Sequence, residues 1–177
     1  MSDKRSVTPV DKETIRDRVV KYIVDIFNPD NVNPIYFDPD DPSKGKLFDT
    51  ARRGTLDDIS RQQTPGIAVE EGDEEISQMQ FYLVDKKFRI FINFKVIKER
   101  GVDVYSLLNY YIGRIEQELV TPERDGLHLA ELTLSVEPAG NSIQYNGDSD
   151  PEPGGTSMFD IEIRHVLGDP FKENADG

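Results

Sequence analysis

The sequence predicts an α+β domain: an antiparallel-rich mixed sheet, two main helices packed on one of its faces, and long loop excursions between elements. Three observations predict it. Two segments place apolar residues at helical spacing, each making one buried stripe: Ile15, Val19, Tyr22, Ile23, Ile26 and Phe27, then Val104, Leu107, Leu108, Tyr111, Ile115 and Leu119. Other segments alternate apolar and polar residues, as strands do when one face is solvated. Strands with one polar face suit an antiparallel-rich sheet with helices on its other side.

Taken in order, Thr8-Pro9 reads as an N-cap followed by a first-turn proline, so the first helix is expected over 9–27. Asp17 and Lys21 add a favourable i,i+4 pair, and Asn28-Pro29 ends the helix. Val32, Ile35, Tyr36 and Phe37 suggest a short strand, which Pro34 restricts to a sheet edge. "DPDDPSKGK" is turn-rich, and "RRGTLDDISRQQTP" shows little periodicity. Residues 38–64 therefore read as a long excursion, of the kind that is functional or disordered in compact domains.

"PGIAVEE" (Pro65 to Glu71) reads as a short strand, "GDEEISQ" as an acidic turn, and "MQFYLV" (Met79 to Val84) has strand propensity. The clearest strand is "KKFRIFINFKVIK": Phe88, Ile90, Ile92, Phe94 and Val96 point one way, Lys87, Arg89, Asn93 and Lys95 the other. Residues 79–98 fit one bent strand or a hairpin turning at Asp85-Lys86, since no Asn-Gly or Asp-Gly marks a turn. The second helix spans Gly101 to Pro122, with Asp103 as N-cap and Pro122 as its stop. Ala130, Leu132, Leu134 and Val136 alternate with polar residues in one further strand; Phe159, Ile161 and Ile163 do so in another. Between these two runs an acidic, Gly- and Pro-rich arm, 138–156, far exceeds the 2–5 residues of a usual hairpin connection. The expected single domain thus has a core of 8–137 and 157–171 and a polar tail, 172–177.

At 177 residues the chain can bury roughly 70% of its unfolded surface in one core. Without cysteine it has no disulfide, thiol nucleophile or Cys-zinc site. Its first residues lack a signal peptide's apolar stretch, and no run approaches the ~18 apolar residues of a membrane span, so a cytoplasmic origin is expected. A net charge of −13 does not grip phosphates, since duplex binding needs Lys and Arg to replace counterions.

Motifs for chemistry are few. "NGDSDPEPGG" alternates Asp148, Asp150 and Glu152 as a calcium loop begins, but such a loop needs Gly at position 6 and Glu at 12. Counting from Asp148 gives Pro153 and Phe159, and frames from Asn146 and Asp38 also fail. "VEEGDEE" places five carboxylates, Glu70, Glu71, Asp73, Glu74 and Glu75, in one run, the usual mark of a solvated segment. The two histidines, His128 and His165, belong to no recognisable catalytic motif, and no Walker A loop, G-x-G-x-x-G, H-E-x-x-H or G-x-S-x-G is present. No cofactor, metal or catalytic residue is assigned. Arg52, Arg53 and Arg61 in the excursion, with Lys86, Lys87 and Arg89, suit acidic surfaces of neighbouring subunits or plain solvent.

The element order, with "PGIAVEEGDEE", the basic-faced "KFRIFINFKV", the helix opening "GVDVYSLLNYYIGRIEQEL" and the closing "SMFDIEIRHVLGDPF", resembles the tail terminator proteins of long-tailed, non-contractile phages over roughly residues 9–171. The excursion at 38–64 is long for that family. The resemblance implies assembly instead of catalysis: an α+β subunit closing into a homohexameric ring that caps the tail tube, stops its polymerisation and meets the head-completion connector at the head-proximal end of the virion tail. A ring that matches one face of an open-ended tube but offers no copy of it ends growth. DNA would pass through without tight binding, past an acidic lumen for which Glu70, Glu71, Asp73, Glu74 and Glu75 are candidates. Candidates for contact with neighbouring subunits or partners are Arg52, Arg53, Arg61, Arg89, Lys95, Asp148, Asp150 and Glu152. The alternatives are another head–tail connector or minor tail protein, a metal-dependent enzyme using the same carboxylates, and a generic adaptor.

Overall fold

The computed structural model describes residues 12–120 and 132–173. The main elements are α1 (Ile15–Phe27), β1 (Thr50–Arg53), β2 (Gly66–Gln80), β3 (Leu83–Lys95), α2 (Val104–Val120), β4 (Thr133–Gln144) and β5 (Gly154–Val166). The strands form one sheet in the order β1-β2-β3-β5-β4. β1 runs parallel to β2, and every other neighbouring pair is antiparallel. The fold is α+β, as the patterning implied.

Ile67, Val69, Phe88, Ile90, Ile92, Phe94, Phe159, Ile161 and Ile163 form one apolar side of the sheet and are buried in the core. Both helices pack there. Tyr111 of α2 stacks on Phe94 with ring centroids 5.8 Å apart, and Arg16 of α1 lies over Phe88. Each residue expected in the α2 stripe is buried. Asp103 caps that helix by accepting the Ser106 N–H at 3.0 Å. The expected stop at Pro122 lies outside the described residues.

α1 begins at Ile15, not at Pro9. Its cap is Thr14, whose hydroxyl accepts the Asp17 N–H at 3.0 Å while the Asp17 carboxylate accepts the Thr14 N–H at 3.2 Å. This reciprocal box satisfies two otherwise orphaned donors and fixes the start. Thr8 and Pro9 lie outside the described residues. Asp17 does not pair with Lys21, which reaches back to Glu13 instead.

The 38–64 stretch is not a bare loop. Leu47, Phe48 and Ile59 are fully buried, and Thr50–Arg53 form β1, a strand too short to show periodicity. The expected strand at 32–37 reduces to a single bridge, Tyr36 to Lys46, with Ile35 buried. The "GDEEISQ" turn is likewise corrected, because β2 continues through it to Gln80, absorbing irregularities between Glu71 and Glu74 and between Ile76 and Gln78. The hairpin turns at Phe81-Tyr82. Asp85, one proposed turn position, is buried inside β3.

In β4, Leu134 is the extra residue between Thr133 and Ser135, so it faces solvent while Thr133 and Val136 are buried. A bulge of this kind shifts the alternation that placed Leu134 inward. Ala130 lies outside the described residues. The 138–156 arm is mostly sheet: Ser142 pairs with Thr156 and Gln144 with Gly154, leaving 145–153 as the connection. A Cβ on Gly154 would sit 2.2 Å from the Phe94 carbonyl, so only glycine lets β5 approach β3 there.

Candidate functional site

Charge is organised differently on the two faces of the sheet. On the helix side, β2 presents Glu71 and Glu74 to α1. The Arg16 guanidinium lies between them, donating from Nε to Glu71 at 2.9 Å, from Nη1 to Glu74 at 3.3 Å and from Nη2 to the Gly72 carbonyl at 2.7 Å. Arg53 of β1 donates to Glu71 at 2.6 Å and to Asp17 at 2.9 Å. Lys86 of β3 meets Glu74 at 3.1 Å. The charges alternate as Asp17, Arg53, Glu71, Arg16, Glu74, Lys86, tying α1 to three strands. Burial pushes the Asp17 carboxyl up, but hydrogen bonds from Arg53 and Thr14 outweigh it and hold it below the ordinary 3.8. Burial likewise raises Glu74, and Lys86 with Arg16 outweigh it to hold it below 4.5.

On the outer face the basic side chains of β3 and β5 are answered by acids on the adjoining strand. Arg89 grips Asp160 with two hydrogen bonds, 2.9 and 3.1 Å, and this bond from Arg89 holds the Asp160 carboxyl below its ordinary value. Arg164 grips Asp85 at 2.6 and 2.8 Å. Glu70 accepts from Asn93 at 3.0 Å, and Asn93 in turn accepts the Thr156 hydroxyl at 2.7 Å.

At the far end of this face the excursion meets the β4–β5 connection. Glu152 sits 3.8 Å from Arg61 and 3.9 Å from Lys95, and Lys95 also donates to the Ile59 carbonyl at 3.0 Å. Arg52 donates to the Asp58 carbonyl at 3.1 Å. Asp150 accepts the N–H groups of Asn146 and Glu152, both at 3.0 Å, which closes its own loop. Asp148 lies 3.7 Å from Lys98. The residues proposed for partner contact therefore all have partners within their own chain, and the structure brings Arg61, Lys95 and Glu152 into one cluster. Of the five acids in "VEEGDEE", Glu70, Asp73 and Glu75 make no ion pair among the described residues, and of these three Glu70 alone has a side-chain hydrogen bond, from Asn93.

Among the described residues no group of three or more His, Asp or Glu is arranged to hold a metal ion. His165 is buried, with Nδ1 2.7 Å from the Val166 carbonyl; His128 lies outside the described residues.

Sequence reasoning missed two apolar features at opposite ends of the sheet. The β2–β3 tip exposes Phe81 (83%), Tyr82 (67%), Met79 (61%) and Ile76 (60%), joined by Leu167, whose N–H donates to the Tyr82 carbonyl. "MQFYLV" looked like strand because its aromatics match strand propensity, and no Gly or Asn marks the turn. At the other end of β3 lies a cavity of about 570 Å³, with Phe37, Pro65, Ile97, Leu107 and Tyr111 in its wall. Burial pushes the Tyr111 phenol well above its ordinary value. β3 separates tip and cavity by roughly 40 Å, at ~3.3 Å per residue.

No protein-family model matches the chain, and a search of curated proteins returns no relative.

Proposed function

We propose that this chain is a ring-forming structural protein that caps a phage tail tube, ends its polymerisation and offers the surface for head joining. The observation that carries the reading is the order of elements: amphipathic helix, long excursion, acid-rich strand, basic-faced strand, second helix and closing strand pair. Its supports are physical. The excursion and the β4–β5 connection lie together at one end of the sheet, as a built rim of arginines and carboxylates. Asp73 and Glu75, the carboxylates of the acidic run with neither an ion pair nor a side-chain hydrogen bond among the described residues, are the ones available to face passing DNA and repel it.

Negative-stain electron microscopy of the purified protein, alone and with tube protein, tests the proposal. Rings with a central hole, and tubes that stop growing once the protein is added, are expected. Dispersed monomers in both samples would overturn it. Arg52→Gln is the clean rim variant, since Arg52 is exposed and its contacts are a hydrogen bond to the Asp58 carbonyl and a charge attraction to the exposed Asp58 carboxylate. It should weaken ring closure or docking without moving the melting temperature. Arg53 is unsuitable for this purpose, because it belongs to the network that anchors α1.

A further inference from the structure

We infer that the β2–β3 hairpin tip of one copy docks into the cavity at the opposite end of a second copy, making a head-to-tail contact. The inference deepens the ring reading above and rests on it.

The tip breaks a local rule. A two-residue hairpin turn favours Gly, Asn or Asp, because it needs a positive φ. Here the position is Phe81 at φ +54°, followed by Tyr82. A bulky residue in the left-handed region is strained, and such strain persists mainly where the side chain has a role. Beside Leu167, the turn sets two large aromatics in water at the end of the hairpin. Together they expose roughly 300 Å² of a total near 800 Å² that each partner contributes to a standard interface.

The occupant follows from shape and charge. The tip is convex and the cavity is concave, with room for an aromatic side chain; Phe37, Pro65, Ile97, Leu107 and Tyr111 give it an apolar wall, and charged side chains complete the lining. Each copy carries −13, so two copies repel unless they meet where charge vanishes. Ile76 to Leu83 contains no charged residue. At the cavity, Lys44 and Lys46 balance Asp49 and Glu99. Both places are thus locally neutral, and the apolar wall of the cavity is a surface the two aromatics can cover. A tip-to-tip dimer would leave two convex surfaces in contact and the cavity empty. A tip-to-cavity contact uses different patches on the two copies, and such heterologous contacts close into rings when the rotation permits.

The absence of native cysteine makes the test direct. Gln80→Cys, beside the turn and sparing both aromatics, and Ile97→Cys are made as separate proteins, both at exposed positions, and treated with a short bis-maleimide alone and mixed. Crosslinked dimer forming in the mixture but in neither protein alone is the expected result. Dimer from Gln80→Cys alone, or none in the mixture while the unmodified protein self-associates by light scattering, overturns the inference and leaves the ring reading standing. A protein that never self-associates, even beside tube protein, overturns both. Phe81→Asp should raise the self-dissociation constant about 30-fold or more, the scale of losing an aromatic anchor, with an unchanged circular dichroism spectrum. Self-association that survives this change assigns the tip to another partner and overturns the proposal.

Discussion

The two long hairpins make opposite use of their turns. The β4–β5 connection carries the residues that look chemical, Asp148, Asp150 and Glu152 among glycines and prolines. Each has a contact within the chain, and Gly154 lies flush against β3. The β2–β3 turn carries residues that look structural, Phe81 and Tyr82, and nothing in the described chain covers them. Polar side chains are easy to satisfy locally, so an acidic loop readily folds back on itself. The exposed aromatics meet each other, with ring centroids 6.3 Å apart, yet both stay largely in water. The difference teaches that an unusual composition is weaker evidence for a binding surface than a turn built from the wrong residues.

Four variants break or sharpen this contrast. Gly154→Val should destabilise by about 3 kcal/mol, because its Cβ meets the Phe94 backbone and the strands must part. Urea denaturation measures it, and a neutral result would mean that the β4–β5 end is as loosely held as the β2–β3 tip.

Arg16→Ala should cost about 2 kcal/mol, since it strips hydrogen bonds from Glu71 and Glu74 in a half-buried setting. The same network, together with the Arg89–Asp160 pair of the outer face, sets an acid limit. Asp17, Glu74 and Asp160 have folded pKa values below their ordinary 3.8, 4.5 and 3.8. The unfolded chain therefore binds protons first, so their stabilisation is present above about pH 4.5 and is lost as pH falls through the folded values. Thermal melts between pH 6 and 3 should show that decline, smaller at high salt. Removal of Arg16 should make it shallower, because Glu74 loses one of the groups that lower it. A decline of equal steepness would detach α1 from the acid response.

Asp150→Ala should cost about 1 kcal/mol, the worth of two loop-closing hydrogen bonds at a solvated site. Calcium should not change the melting temperature of either form, and a calcium-dependent rise lost in the variant would restore a metal role to the loop. Smallest and opposite in sign, Phe81→Asn should stabilise the isolated subunit by about 0.5 to 1 kcal/mol, by relieving the positive φ. A destabilised variant would show that the aromatic serves its own fold.

How far the fold was legible depended on the length of each pattern. The stripe of α2 and the alternation of β3 and β5 were long enough to read directly. β1 was hidden because four residues show no period, and Leu134 was misplaced because a bulge shifts alternation without a marker. The length of β2 was hidden because five carboxylates imply solvent, while two of their cations, Arg16 and Arg53, lie far away in sequence and a third, Lys86, sits on the paired strand with a role no local pattern shows. The candidate basic residues were visible, but their partners were not, since pairing across strands is a property of register. The tip and the cavity were not legible at all: one is a turn without turn residues, and the other is assembled from Phe37, Pro65, Ile97 and Tyr111, drawn from four separate segments.

The strand order has a kinetic consequence. β2–β3 and β4–β5 are sequence-local hairpins, whereas β3 meets β5 across a seam where Arg89 and Asp160 are 71 residues apart. Closing so long a loop costs entropy before any contact repays it. The two hairpins are expected to form early and the seam to zip later, making it the rate-limiting step of folding. Losses within the hairpins, formed before that step, should then mainly slow refolding, while substitutions along the seam, such as Ile90→Val or Phe159→Leu, should divide their effect between slower refolding and faster unfolding.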